Sequence, residues 1–242
     1  MTGTIINVIT VLVGTALGVL LGGRLSERMS QTVLHGLGLV TAAIGLQMFL
    51  ETANVLIVLG AVLVGGILGE WWNLEARLNG IGAWLEARVN RGGGDEERAT
   101  RFIRGFVTAS LLFCVGPMAI LGSIQDGLTG DYRLLAIKAM LDGFASLAFA
   151  SSLGVGVGFS ALALLIYQGG ISLAAAQAQA VLTPEMIAEL TATGGVLILG
   201  ISVSTLLEIK PIRVGNFLPA LLLAPLIVAA LNALGIPIVP QF

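Results

Sequence analysis

Apolar stretches of about twenty residues recur along almost the whole chain, separated by short segments that hold most of the charged side chains. Hydrophobic residues make up 56% of the 242 residues and charged residues only 11%, whereas a soluble domain carries about 25% charged residues. So few charged side chains cannot cover a soluble core. The sequence therefore predicts an all-α polytopic membrane helix bundle in a single domain, residues 1–242, and argues against a soluble globular enzyme.

A helix that crosses a bilayer needs about 20 mainly apolar residues, and the chain contains eight predicted spans of roughly this kind, some of them broken or kinked. They cover residues 4–21, 32–50, 54–68, 102–121, 134–151, 157–182, 194–207 and 216–234. The seventh span is short. The sixth reaches residue 182 only if its helix continues through a break at Gly169-Gly170. The turn between the fifth and sixth spans is predicted at residues 152–156.

Lysine and arginine residues test this count of spans independently. Ten of the 12 basic residues fall in the connections after the first, third and seventh spans, which eight spans place on one side of the membrane. Cytoplasmic loops carry the excess of Lys and Arg in membrane proteins. The sequence therefore predicts that these connections are cytoplasmic and that both termini face the exterior.

The connection at residues 70–91 is predicted to form an amphipathic cytoplasmic helix. Apolar side chains recur in it at helical spacing, at Trp71, Leu74, Leu78, Ile81 and Leu85. One interpretation is a helix that lies on the inner leaflet or on its own bundle, with its tryptophans at the headgroup level. The other is a short heptad seam, which would make the protein a homo-oligomer.

Ionisable residues inside a membrane are costly and are treated first as functional candidates. Lys138 and Asp142 stand four residues apart in the fifth span, on one helical face, and Ser146 extends that face by one turn. One interpretation is a structural pair of opposite charges that fixes helix packing. The other is an acid that binds a proton or a cation on a path, with Lys138 as its partner.

The preceding span contains a predicted break. Ser110, Cys114 and Pro117 share one helical face, and Gly116-Pro117 should kink or end the helix and free carbonyl groups. Interrupted helices near a membrane-embedded acid are typical of transporter sites. An ordinary kinked helix is the alternative.

A glycine-rich stretch follows the break, and the sequence predicts a flexible polar segment outside the membrane. Its polar side chains, Gln125, Asp126 and Asp131, are predicted to form an outer vestibule. Gln168 in the sixth span and Asn216 in the eighth are weaker candidates for the same path, since each alone is more often a packing contact.

The residue content disfavours catalysis. A single histidine, His35, excludes a zinc motif of the H-E-x-x-H type, and the chain has one cysteine and no phosphate-binding loop. We expect no enzyme activity, no cofactor, no metal site and no binding to nucleic acid. The expected partners are the lipid bilayer and an ion or small solute. The sequence favours a channel or secondary transporter; the alternative is a structural or accessory membrane protein without transport.

Several motifs in the second half occur in an order that resembles one known family. They are Phe113-Cys114-x-Gly116, Gly127-Leu-Thr-Gly-Asp131, Lys138-x-x-Leu-Asp142, Phe149-Ala-x-Ser-Leu-Gly154 and Asn216-x-Leu-Pro-Ala-Leu221. This pattern is similar to that of the YdfK/YqgA-type bacterial inner-membrane proteins, a family of unknown function. The resemblance covers the whole chain and implies a location in the bacterial cytoplasmic membrane, but it implies no substrate.

Overall fold

The computed structural model describes residues 1–22, 26–89 and 96–238, and in these ranges the chain forms helices and turns without a β-strand. The helices are α1 (Thr2–Gly22), α2 (Glu27–Phe49), α3 (Val55–Trp72), α4 (Leu74–Val89), α5 (Glu96–Cys114), α6 (Pro117–Thr129), α7 (Arg133–Leu153), α8 (Gly156–Leu173), α9 (Ala175–Val181), α10 (Pro184–Ile201) and α11 (Pro219–Ala233). The predicted all-α polytopic bundle is confirmed. Arg24, Arg91 and Phe242, which the predicted topology uses, lie outside the described residues.

Seven helical segments of the described chain are long and apolar enough to cross a membrane. They are Thr2–Gly22, Gln31–Phe49, Val55–Trp72, Arg133–Leu153, Gly156–Leu173, Pro184–Leu206 and Val214–Ala233. The pair α5 and α6, bent by 63° at their junction, supplies an eighth crossing if the two helices form one span. This number agrees with the eight predicted spans.

The contacts of α8 indicate that α5 and α6 do form one broken span. Gly156, at the start of α8, lies against the backbone of Phe102 in α5, and Ser172, near the end of α8, lies against Gly127 in α6. The bent pair therefore runs beside α8 in the same direction for nearly the whole length of that helix. A re-entrant loop would instead turn back to the side from which it entered.

The break itself has a local cause in the sequence. Gly116 adopts φ 144° and ψ 152°, a backbone conformation that only glycine adopts readily. Pro117 then begins α6 at the position where a missing N–H is tolerated best. The kink predicted at these two residues is confirmed, and it is a complete interruption of the helix.

The chain divides into two compact units, the first of which comprises Met1–Gly38 and Asn79–Ala180. Its most extensive packing is between α1 and α7. Gly14 lies against the carbonyl of Gly143, and Gly18, one turn later, lies against the carbonyl of Leu147. The matching order of these contacts means that α1 and α7 run parallel, with backbones in direct contact because no Cβ atom separates them.

Some predicted boundaries are wrong. α8 continues through Gly169-Gly170 without a break and ends at Leu173, and the separate helix α9 follows, so the span predicted at 157–182 is too long. The span predicted at 194–207 is too short, because α10 and a π-helical turn (Ser202–Leu206) together cover Pro184–Leu206. The flexible segment predicted after Pro117 is helical through Thr129, so Gln125 and Asp126 belong to α6. The turn predicted at 152–156 is confirmed.

The second unit comprises Leu39–Leu78 and Val181–Phe242. In this unit α3 packs against α11 and the 3-10 turn before it (Val214–Phe217) in antiparallel order. Gly65 contacts the backbone of Ala220, and Gly69, one turn later, contacts that of Asn216. A division into two units was not among the sequence predictions.

The amphipathic helix predicted at 70–91 is α4, which begins at Leu74 because α3 continues to Trp72 and ends on Asn73 in the left-handed conformation. Trp71 and Ile81 of the predicted stripe are 76% and 50% exposed. The other three stripe residues, Leu74, Leu78 and Leu85, are half-buried. The helix thus packs partly on its own chain and leaves apolar side chains available to a lipid surface or to a second copy.

Candidate ion site in the first unit

A buried ion pair lies in the middle of α7. The Lys138 ammonium contacts the Asp142 carboxylate one turn further along the helix, and the two side chains are 8% and 11% exposed. The Ser146 hydroxyl donates a hydrogen bond of 2.7 Å to the Asp142 carbonyl. The three residues that the sequence puts on one face of the fifth span are therefore buried together.

Two side chains from other helices extend this pair into a polar chain. Asn7 in α1 donates from Nδ2 to Asp142 Oδ2 at 2.8 Å and, more weakly, to Gln168 Oε1 in α8 at 3.4 Å. Both amide side chains are fully buried. A continuous series of contacts, Lys138 to Asp142 to Asn7 to Gln168, thus connects α7, α1 and α8 inside the first unit.

This polar chain is not fully satisfied. Asn7 Oδ1 and Gln168 Nε2 have no hydrogen-bond partner among the described residues. A buried polar atom without a partner costs about 1–3 kcal/mol, so such atoms are rare in folded proteins and call for an explanation, for example a bound water or ion or a functional role. Both free atoms belong to side chains that touch the ion pair or its immediate neighbour.

The end of α5 before the break contains two of the predicted path residues. Cys114 is the last residue of α5 and is half-buried. Ser110, one turn earlier, is half-buried and its hydroxyl has no partner in the described part of the chain. Both residues therefore lie in the last two turns of α5, before the break.

The three residues of the predicted outer vestibule have different environments. Asp126 is buried in α6, where it accepts a hydrogen bond of 3.0 Å from the Gly3 amide and its other oxygen lies 3.1 Å from the Met1 nitrogen. Gln125 is exposed on the same helix. Asp131 follows α6 in a turn and is paired with Arg133, so its charge is compensated.

The pairing of Asp131 has a measurable electrostatic consequence. Arg133 donates to both carboxylate oxygens, at 2.9 and 2.6 Å, and its backbone amide adds a third hydrogen bond of 3.1 Å. These bonds favour the ionised carboxylate. The side-chain hydrogen bonds from Arg133, followed by that from its backbone amide, lower the pKa of Asp131 from an ordinary value of 3.8 to about 2.

Asn216, a further predicted path residue, lies in the second unit with other partners. Its Oδ1 accepts from the Glu75 amide at 2.7 Å, and its Nδ2 donates to Glu70 Oε2 at 2.6 Å. Arg213 completes the cluster with an ion pair of 2.8 Å to Glu70. These contacts join the turn before α11 to the junction of α3 and α4, which gives Asn216 a structural role.

Glu189, an acidic residue that the sequence analysis did not select, is fully buried in α10. Its carboxylate accepts three hydrogen bonds, from the Thr52 hydroxyl at 2.7 Å and from the amides of Ala53 and Asn54 at 2.8 and 3.0 Å. These donors precede and begin α3. Glu189 therefore caps the amino end of another helix of its unit, where a negative charge is favoured by the helix dipole.

Sequence reasoning did not select Asn7, although it is the only amide in the first span. The one signal for Asn7 in the sequence is its polar side chain within an apolar stretch.

In the described part of the chain, no cluster of three or more His, Cys, Asp or Glu side chains could hold a metal ion. The oxygen-bearing groups at the pair are instead one carboxylate and one amide.

Together, the apolar crossing segments and the buried polar chain define a polytopic membrane protein with an ionisable centre in its first unit. Residues 2–229 match a family described as "Protein of unknown function (DUF554)", and the chain belongs to this family.

Two relatives extend over nearly the full chain. The chain is 31% identical over 240 residues to the uncharacterized membrane protein YdfK of Bacillus subtilis (strain 168), covering 98% of this chain and 99% of that protein. It is 36% identical over 231 residues to the uncharacterized protein YqgA of Escherichia coli (strain K12), covering 96% and 97%. The resemblance drawn from the sequence motifs is confirmed. No solved structure matches the chain.

Proposed function

We propose that this membrane protein is a channel or secondary transporter of an ion or small solute, with its site at Lys138 and Asp142. The observation that carries the proposal is the buried chain from Lys138 through Asp142 and Asn7 to Gln168, which ends in side-chain atoms without partners. A charged pair and free polar atoms among apolar helices cost stability. Conduction of a polar species explains why such groups are retained.

Polar groups on both sides of the pair support a path through the first unit. Toward the end where α6 finishes, the Ser123 and Thr4 hydroxyls are buried and have no partner among the described residues. Toward the end where α1 and α7 finish, a cleft of 1190 Å³ opens, and its lining includes Arg101, Arg104 and Ser151. A solute that enters this cleft would approach the pair along α7.

The test is a flux assay in proteoliposomes, with and without a pH or sodium gradient. We expect Asp142→Asn, and the double variant Lys138→Met with Asp142→Leu, to fold and to lose flux by tenfold or more. Glu185→Gln is the matched control, because it removes an exposed carboxylate in α10 that is not part of the proposed path. Full flux in the folded double variant would overturn the site.

The alternative is a structural or accessory membrane protein without transport. The observation that favours it is the direct ion pair, because two opposite charges one turn apart neutralise each other within α7. In that case the double variant keeps every property of the natural chain, and no gradient drives flux in any variant.

The proposal includes a location and a topology. The protein would lie in the bacterial cytoplasmic membrane with both termini outside, because the basic connections would then face the cytoplasm. We propose no enzyme activity, no cofactor and no nucleic-acid partner. We propose a homo-oligomer in which the exposed residues Trp71 and Ile81 meet a second copy. Replacing Ile81 with lysine should then reduce the size of the purified assembly; an unchanged size would leave α4 as a membrane-surface helix.

A further inference from the structure

We infer that the Asp142 site binds a dehydrated monovalent alkali-metal cation, with Asn7 Oδ1 as a second ligand. The inference rests on the proposed function in its choice of site and goes beyond it in naming the ligand class and Asn7. The starting observation is the orientation of the Asn7 amide. Its Nδ2 must face Asp142, because a carboxylate only accepts hydrogen bonds, so the unpartnered atom of Asn7 is its oxygen.

An unpartnered oxygen beside a carboxylate is chemically suited to a hard cation. Hard cations take oxygen ligands from carboxylates and from amide and backbone carbonyls. Asn7 is fully buried and Asp142 nearly so, so a cation bound to Asn7 Oδ1 and to the Asp142 carboxylate would exchange its water shell for protein oxygens. A divalent ion fits less well, because such sites usually bring several carboxylates together, and the described residues contain no cluster of three or more His, Cys, Asp or Glu side chains that could hold a metal ion.

The broken end of α5 leaves backbone carbonyl oxygens without their usual helical donors. The Gly116 amide makes no hydrogen bond to the Leu112 carbonyl, and Pro117 has no N–H to donate to the carbonyl of Phe113. No backbone amide of the described residues donates to the Val115 carbonyl. Carbonyls at the end of an interrupted helix carry the negative end of the helix dipole and coordinate sodium in transporters.

Lys138 would compete with the cation. Its ammonium occupies Asp142 Oδ2, and the pair is neutral as a whole. A monovalent cation that replaces the ammonium at the carboxylate restores the same neutral total when the flexible Lys138 side chain carries its charge out of the site toward the membrane surface. Two ammonium-sized charges at one buried carboxylate would leave an excess positive charge in a medium of low dielectric constant, which is unfavourable. The site should therefore hold either the Lys138 ammonium or the cation.

Because Asn7 would bind the cation and Lys138 would compete with it, substitutions at these two residues should change the affinity for sodium in opposite directions. Purified protein in detergent is titrated with NaCl at constant ionic strength set by choline chloride, and the melting temperature reports binding. We expect sodium to raise the melting temperature. Parallel titrations with KCl and LiCl then show which alkali-metal cation binds most tightly. Asn7→Ala should raise the sodium concentration that gives half of the maximal rise in melting temperature about tenfold. Lys138→Gln should lower it several-fold, and Asp142→Asn should abolish the effect.

The matched control is Thr15→Ala, which removes a buried, unpartnered hydroxyl two turns further along the same helix α1. It should leave the sodium dependence unchanged even if it alters stability. Asn7→Ser keeps a side-chain oxygen and should shift the midpoint less than Asn7→Ala, so the inference remains testable if the alanine variant does not fold.

The outcomes separate the inference from the proposed function. If NaCl, KCl and LiCl all give the same melting temperature of the natural chain as choline chloride, the cation site is overturned. If the protein then still conducts a solute or protons, the transport proposal stands without the cation site. Sodium binding without any flux supports the cation site and removes the transport proposal. A weaker sodium response in Lys138→Gln than in the natural chain would also overturn the competition that the site requires.

Discussion

The Asn7 side chain in α1 donates a hydrogen bond of 2.8 Å to the Asp142 carboxylate in α7, across 135 positions of sequence. The carboxylate therefore has one partner on its own helix, Lys138, and one on a different helix. These two partners are not equivalent. The contact with Lys138 neutralises the charge, whereas the contact with Asn7 joins two spans and leaves the charge unchanged.

Removing Lys138 alone should destabilise the protein strongly. Lys138→Met leaves a buried carboxylate without a counter-charge, which typically costs about 3–5 kcal/mol. Adding Asp142→Leu removes the stranded charge and should recover most of that loss. Unfolding measured in mild detergent checks both variants. If the double variant were as unstable as Lys138→Met, the pair would not be the reason for the loss.

Gly14 should not tolerate a side chain. A Cβ at this position would overlap the carbonyl oxygen of Gly143 in α7, so the two parallel helices would have to separate. We expect Gly14→Ala to lower stability by about 1–3 kcal/mol, the usual cost of overpacking. Gly170→Ala is the control, because a Cβ there meets open space. Equal melting temperatures for the two variants would contradict the close α1–α7 contact.

Glu189 should matter for stability. Glu189→Gln keeps the size of the side chain but turns an amide group toward donors that need an acceptor, and we expect a loss of about 1–3 kcal/mol. Glu185→Gln changes an exposed carboxyl on the same helix and should have little effect. Thermal unfolding of the two variants, compared with the natural chain, distinguishes a helix cap from a solvated acid.

The Asp131 pair makes a prediction about pH. Because hydrogen bonds from Arg133 lower the pKa of Asp131 to about 2, the pair contributes its full stability above about pH 4, where the unfolded carboxyl is also ionised. The contribution is lost as pH falls from about 4 to 2. We expect no titration of this carboxyl between pH 5 and 8. Carbon NMR of labelled aspartate tests this, and a midpoint near 4 would mean that the Arg133 contact is absent in solution.

The broken span can be tested by accessibility. In a Cys114→Ser background, which removes the single cysteine of the chain, we expect Glu97→Cys and Thr129→Cys to react with an impermeant maleimide from opposite sides of the membrane. Glu51→Cys should react on the same side as Thr129→Cys, because two crossings separate these positions. Labelling of positions 97 and 129 from one side would instead indicate a re-entrant loop.

The sequence allowed the membrane bundle to be predicted because bilayer thickness imposes a length on every span, and that length is visible in a single apolar stretch. The break before α6 was equally visible, since glycine followed by proline acts on its own backbone. Boundaries were less accurate where acidic residues occur inside a helix. Because Glu185 and Glu189 are charged, the apolar pattern does not show the first turns of α10, and the predicted span begins too late. The side chain of Thr183, which caps that helix, marks its true start.

Contacts between distant helices could not be predicted in the same way. The pair of Lys138 and Asp142 is visible because both residues lie on one helix, four positions apart. Nothing in the residues around Asn7 specifies that α1 packs parallel to α7, so its contact with Asp142 depends on a register between helices. The three donors to Glu189 are hidden for the same reason, since they lie more than a hundred positions away in sequence.

The separation between Asn7 and Asp142 also sets an order of events during synthesis. At about 5–20 residues per second, roughly 7–27 seconds pass after Asn7 leaves the ribosome before Asp142 does. During that interval α1 enters the bilayer without a charged side chain to shield from lipid. The charged residues emerge together on α7, where Lys138 precedes Asp142 by a single turn. The nascent chain therefore never presents an isolated charge from this site to the membrane, and the amide of the first span is in place to receive the pair when it arrives.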